Sequence, residues 1–187
     1  MFRSSDRRGF FGAGLALAGA ALFGRGRASA SPVQSAEARL KELGITLPTP
    51  PAPIATYVPA VKAGNLLFVA GHGPAAASDG KTPAGKVGKD LTLEQGRAAA
   101  RLVGLNVLAT VRSSLGSLDR VVRVVKVLGM VNAVPDFTQQ PQVVNGFSDL
   151  LVEVFGEERG KGARSAVGMG SLPNNIPVEV EAILEVS

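Results

Sequence analysis

Two stretches constrain the fold more than any other feature of this chain. Leu66-Leu67-Phe68-Val69-Ala70 and the segment Val121–Val131 are apolar or β-branched at both odd and even positions. A strand with one wet face alternates polar and apolar residues, whereas a run that is apolar on both parities reads as a strand buried on both faces. Each run is too short to be a membrane span. The chain therefore needs a sheet whose central strands are covered on two sides.

The flanking segments supply one cover. Thr92 with Gln95 three residues on forms a capping box, so a helix is expected from Leu93 to Leu115, ended by Gly116. Ala98, Leu102, Leu105 and Ala109 are assigned to its apolar face. A second helix is expected over 141–155, with Val143, Phe147, Leu150, Leu151 and Val154 as its stripe and Gly156 as its stop. A short helix from Ala36 to Leu43, capped by Ser35, precedes a stiff proline-rich connection with Pro48, Pro50, Pro51 and Pro53. Strands are expected at 57–62, 66–71, 121–131, 164–170 and 178–186. A long loop spans 73–89, with a short strand near Val87, and a turn falls at Leu172–Asn175. In the last strand Val178, Val180, Ala182, Leu184 and Val186 face one way, and Glu179, Glu181, Ile183 and Glu185 the other.

The order is strand–strand–loop–helix–strand–helix–strand–strand. It predicts an α+β fold with one mixed sheet and both long helices packed on one of its faces. The second face then requires a partner subunit as its cover.

Residues 1–30 differ in character from the rest. Arg3, Arg7 and Arg8 precede a weakly apolar run, Gly12–Phe23, then Arg25, Arg27 and Ala28-Ser29-Ala30. This is the pattern of an export signal with a small-x-small cleavage site, and Ser4-Ser5-Asp6-Arg7-Arg8-Gly9-Phe10-Phe11 resembles the twin-arginine motif. The expectation is cleavage after Ala30, a periplasmic or secreted product, and no permanent membrane anchor. A disordered basic tail is the alternative. Residues 31–52 then form the N-terminal helix and proline-rich linker, and 53–187 the domain proper. The split also explains the charge. The whole chain carries +5, but five arginines against Asp6 place +4 of it in residues 1–30. The remaining +1 offers no electrostatic footprint for nucleic acid.

Composition narrows the chemistry. There is no cysteine and one histidine, His72, so thiol catalysis, disulfides and Cys-ligated metal sites are excluded. No phosphate loop, paired-carboxylate motif or metal spacing is present. Arg164, at the start of a strand, is either an ordinary strand-end arginine or a bidentate clamp for a carboxylate or phosphate. Glu179 is a solvent-facing strand carboxylate or a site group. His72, in a Gly-His-Gly corner, is a structural hydrogen-bonding group or part of a site. Tyr57, the only tyrosine, is edge packing or a cleft residue.

The residue strings carry more. Tyr57-Val58, Leu67-Phe68-Val69-Ala70-Gly71-His72, Leu118-Asp119-Arg120-Val121-Val122, Val144-Asn145, Ala163-Arg164-Ser165-Ala166-Val167, Leu172-Pro173 and Val178-Glu179-Val180-Glu181-Ala182 occur in order. In them the chain resembles the RidA/YjgF family of reactive-intermediate imine deaminases over about residues 53–187, within a longer Gly-His-Gly-Pro branch. The resemblance implies a chorismate-mutase-like fold and a homotrimer with a ligand cleft at each interface. It implies that Arg164 grips the carboxylate of a 2-imino acid and that Glu179 positions a hydrolytic water. Tyr57, Gly71, His72, Asn145 and Ser165 would line the cleft, with no metal or organic cofactor. The implied reaction converts an imine or enamine of a small carboxylic acid to the 2-keto acid and ammonia. Binding of a small carboxylate without turnover is the alternative, and endoribonuclease activity a more distant one.

Overall fold

The structure, a computed structural model, describes residues 34–187. The expected export signal and its cleavage site lie outside the described residues. Helix α1 (Ala36–Glu42) is capped by Ser35, whose hydroxyl accepts from the Ala38 N–H. The same hydroxyl donates to the Asp119 carboxylate, which pins α1 to the turn after the long helix. The proline-rich connection forms neither helix nor strand, in line with the helix-free connection expected from its prolines.

Strand β1 is shorter than expected. It covers Ala60–Ala63, because the residues from Tyr57 to Pro59 bend along the edge of the sheet instead of forming a ladder. Gly64, at φ 62, makes the turn into β2 (Leu66–His72). The loop that follows makes only isolated bridges at Val87, to Leu91 and Ala133. Helix α2 (Leu93–Leu115) has the expected bounds. Its capping box is complete, with Thr92 accepting from the Gln95 N–H and Gln95 accepting from the Thr92 N–H, and Gly116 closes it at φ 84. Then come β3 (Val121–Asn132), α3 (Gln140–Phe155), a one-turn helix α4 (Glu157–Gly160), β4 (Ala163–Met169) and β5 (Val178–Val186).

The five strands form one mixed sheet in the order β1-β2-β5-β3-β4, antiparallel except for the β3–β4 pair. Helix α2 packs against β2 and β5, and α3 against β3 and β4. The core lies between helices and sheet. Phe147, Leu150 and Val143 of α3 and Val103 of α2 are fully buried against Val124, Val131, Val178 and Val180, and each such side chain contributes about 1.5–3 kcal/mol.

One expectation is corrected here. The apolar face of α2 is not the Ala98/Leu102/Leu105 face: Ala98 is exposed and the two leucines are half-buried. The buried face runs through Gly96, Ala99, Val103, Gly104, Val107 and Val111. Glycine turns this face inward because it allows close helix contact. A Cβ on Gly104 would stand 2.7 Å from Leu150 Cδ2, and one on Gly146 of α3 would stand 2.0 Å from the Arg97 carbonyl oxygen.

As expected from helices on a single side, β2 and β3 are covered on one face only within the chain. The other face carries Phe68, Leu128, Met130, Val167 and Ile183, placed there by the strand register. Phe68 and Val167 remain about 40% exposed. The apolar residues on both parities are real, but the chain buries only one set of them.

Candidate functional site

The candidate residues gather at two places. The first is a bulge in β2. Val69 pairs with Ala182 and His72 with Val180, so Ala70 and Gly71 together oppose Glu181. The extra residue shifts the parity of the strand, and His72 joins Leu67 and Val69 on the helix side. There its Nδ1 lies 2.7 Å from the Ala70 carbonyl and its Nε2 2.8 Å from the Thr110 hydroxyl. A carbonyl can only accept, so Nδ1 carries the proton and Nε2 of the neutral ring accepts from Thr110. Burial pushes the His72 pKa down, opposed in part by the Ala70 carbonyl. Both ring nitrogens are thus engaged inside the chain.

The same bulge brings Gly71 under the Glu179 side chain. A Cβ on Gly71 would sit 2.0 Å from Glu179 Oε1, so the carboxylate rests on bare backbone. Burial raises the Glu179 pKa, and the neighbouring Glu181 carboxylate raises it further. These groups open onto a cavity of about 600 Å³, bounded by the segment Pro51–Pro59 with Tyr57, by Gly71–Pro74, and by Asn106, Asn174, Ile176, Glu179 and Glu181. Asn106 is fixed by donating to the Gly73 carbonyl at 3.0 Å. Asn174 and Asn175 both take positive φ, 52° and 55°, a conformation asparagine tolerates better than most residues. This turn is tied down from outside. The Asn175 side chain accepts from Asn132 Nδ2, and Asn132 Oδ1 accepts from Lys86 Nζ at 2.6 Å.

The second place is β4. Arg164 lies on the helix side of the sheet, opposite Val127, and reaches across to α3. Its Nη1 donates to Asn145 Oδ1 at 2.9 Å and to Ser148 Oγ at 3.0 Å, and its Nη2 to the Pro141 carbonyl at 3.3 Å. Among the described residues these contacts use three of the five guanidinium N–H donors. They leave the Nε–H and one Nη2–H for a further acceptor such as a carboxylate. Ser165 points to the opposite face, where its hydroxyl accepts from Lys126 Nζ at 2.9 Å.

One chain does not unite the two sets. Tyr57, Gly71, His72 and Glu179 share the cavity, and Asn145 and Arg164 share a hydrogen bond. Between Glu179 on β5 and Arg164 on β4 lies β3, so about 10 Å of sheet separates them. Glu179 also aligns with Met130 on the open face, whereas Arg164 aligns with Val127 on the helix face. Sequence reasoning missed Asn106, Asn174, Glu181, Ser148 and Lys126 as members of these clusters. Glu181 was legible, because it shares a face with Glu179 two residues away. The others depend on which helix or turn meets which strand end. Among the described residues no group of three or more His, Asp or Glu side chains converges as a metal site requires.

A five-stranded mixed sheet with two long helices on one face is the chorismate-mutase-like fold. Residues 37–181 match the family model described as "YjgF/chorismate_mutase-like, putative endoribonuclease". Protein TCP17 of Trypanosoma cruzi is 46% identical over 80% of this chain and 93% of its own length. The crystal structure of Atu1372 from Agrobacterium tumefaciens is 45% identical, covers 81% of this chain and 92% of that one, and superposes with a TM-score of 0.71. A Shewanella oneidensis protein whose crystal structure is named as that of a "putative endoribonuclease" is 31% identical, with a TM-score of 0.76 over 82% of this chain and all of that one. The chain belongs to the YjgF/RidA family.

Proposed function

We propose that this protein hydrolyses the imine or enamine forms of small 2-amino-acid derivatives to 2-keto acids and ammonia, in clefts formed between three copies of the chain. The observation that carries this reading is the preset guanidinium of Arg164. Asn145, Ser148 and the Pro141 carbonyl hold it, and two N–H donors remain for a substrate carboxylate. The separation of Arg164 from Glu179 supports the shared cleft, because one small acid reaches both only if they come from neighbouring copies. The open apolar face of the sheet supplies a surface for that contact.

The chemistry needs little beyond positioning. The carbon of a protonated C=NH₂⁺ group is already electrophilic. Water adds to it, one proton passes to nitrogen, the C–N bond breaks, and the products are the keto acid and ammonium. Glu179, whose raised pKa suits proton exchange nearer neutrality, takes the proton from the attacking water. Arg164 fixes the carbon relative to that water, and orientation of this kind supplies much of the acceleration.

In this reading the product of export lacks residues 1–30 and works in the periplasm or outside the cell, with no nucleic-acid partner. An intact mass of the exported protein checks the Ala30 cut. No helix among the described residues is long and apolar enough to cross a membrane.

The test of the activity is ammonia release from freshly generated 2-iminopropanoate. The protein accelerates it and Arg164→Ala abolishes the effect; equal rates with and without protein refute the proposal. One observation favours a second reading, binding without turnover. Ala70 has no polar side chain and His72 has both ring nitrogens engaged, so this part of the wall offers the ligand little beyond backbone. A rise in melting temperature on adding a 2-keto acid, with no ammonia release from the imine, would identify that case.

A further inference from the structure

The cavity beside Glu179 is far larger than the smallest 2-imino acid requires. It holds about 600 Å³, whereas 2-iminopropanoate fills the room of only a few waters at about 30 Å³ each. Much of its wall is hydrocarbon, from Pro51, Ile54 and Val58 before β1 and from Pro74 and Ile176 on the other side. Ile176 is admitted by a glycine, since a Cβ on Gly73 would stand 2.9 Å from Ile176 Cδ1. The exposures are unusual as well. Ile54 is 78% exposed and Val58 57%, so two large apolar side chains close together in sequence edge one cavity. Scattered apolar residues on a surface need no explanation, but a cluster around a concavity marks a binding site. Glu179 and Glu181 are the charged lining groups, and no Lys or Arg lines the cavity among the described residues.

We infer that this cavity receives the side chain of the substrate, and that the preferred substrate is a 2-imino acid with a bulky apolar side chain of leucine or phenylalanine size. The inference rests on the deaminase reading above. The three substituents of the reacting carbon sort by charge. The carboxylate goes to Arg164 of a neighbouring copy. The cationic iminium faces Glu179 and Glu181. The third substituent is left with the apolar wall between Ile54 and Ile176. A second carboxylate in that position meets two like charges, and a methyl group leaves the wall wet. Each methylene placed against such a wall is worth about 10-fold or more in discrimination.

The experiment generates imines in situ with amino-acid oxidases from alanine, leucine, phenylalanine and glutamate. Semicarbazide traps the imine that survives, so the fall in trapping gives the catalytic efficiency on each substrate. The leucine and phenylalanine imines should exceed the alanine imine by at least about 10-fold, with the glutamate imine poorest. Ile54→Asp should shrink the leucine-to-alanine ratio to within about 3-fold, and the exposure of Ile54 makes this change safe for folding. Equal efficiency on all four imines, or a ratio unmoved by Ile54→Asp, overturns the inference and leaves the deaminase reading intact. If no imine is hydrolysed, the deaminase reading fails, and thermal-shift titration with 4-methyl-2-oxopentanoate and pyruvate decides the rest. Tighter binding of the bulky acid supports the ligand class; equal or absent binding overturns it.

Discussion

Replacing Gly71 with alanine tests whether the place occupied by the Glu179 carboxylate matters to the reaction. Gly71 does not take positive φ, so alanine fits the backbone and any effect comes from the added methyl group. That group would stand 2.0 Å from Glu179 Oε1 and 3.0 Å from its carboxyl carbon, where ordinary contact begins near 3.4 Å. The carboxylate must retreat by more than 1 Å. The obstacle is the mobile end of a side chain, so the stability loss belongs at the low end of the overpacking range, about 1 kcal/mol. For a domain of this size that is about 2–4 °C in melting temperature. The catalytic loss is larger. A displacement of about 1 Å at the reacting centre is worth about 100-fold in rate, or about 2.7 kcal/mol of barrier.

The loss should fall on kcat more than on KM, because in the proposed mechanism Arg164 and not Glu179 holds the substrate in the ground state. The assay is imine hydrolysis by Gly71→Ala beside a thermal melt of the same sample. Full activity with an unchanged melt refutes the reasoning, since the carboxylate would then work from another position. A collapse of the melt refutes it differently, by showing that the contact is rigid.

Glu179→Gln removes a desolvated charge and its repulsion with Glu181, so it should abolish hydrolysis while raising the melting temperature near neutral pH. The sign follows from the raised folded pKa: the native state binds more protons than the unfolded chain above the usual carboxylate range, so wild-type stability declines as pH rises through that window. Paired melts from pH 4 to 8 should show a flatter profile for the variant. His72 has the opposite sign. Its folded pKa is lowered, so the stability it contributes is complete above its usual value of 6.5 and is lost as pH falls below it. Thr110→Val strands Nε2 without a partner and should cost about 1–3 kcal/mol in denaturant titration. Gly146→Ala drives a methyl group into the Arg97 carbonyl at 2.0 Å; backbone cannot rotate aside, so about 3 kcal/mol and a drop of about 6–12 °C are expected. Mixed refolding of Arg164→Ala with Glu179→Gln should recover part of the activity that neither has alone, because some clefts then combine an intact Arg164 with an intact Glu179.

The parts of the fold legible in the sequence were those with local chemical signals. Thr92, Gln95 and Gly116 fixed both ends of α2, and the alternation from Val178 to Val186 fixed the faces of β5. The start of β1 was not legible, because Tyr57 and Val58 have strand propensity but belong to the cavity rim. The buried face of α2 was misjudged because leucines outweigh glycines in a pattern, whereas Gly96 and Gly104 mark where another element comes closest. Of the candidate site, the pairing of Arg164 with Asn145 and the gathering of Tyr57, Gly71 and Glu179 follow the motifs. That Glu179 and Arg164 lie on opposite faces with a strand between them was hidden. It depends on strand order and on which face each strand presents, and neither is written in any one segment.

That separation constrains the assembly further. The two sets differ in charge as well as place. The β4 side of the sheet presents Arg164 on one face and Lys126 beside Ser165 on the other, while the β5 side presents Glu179 and Glu181 at a cavity without cations among the described residues. In the proposed assembly a head-to-tail contact sets the Arg164 side of one copy against the Glu179 cavity of the next, and repeated contacts of this kind form a ring where the rotation closes. Every interface of such a ring would contain one Arg164 and one Glu179. The apolar residues left open on the sheet face, Phe68 and Val167 among them, would gain their second cover in the same step that completes the proposed cleft.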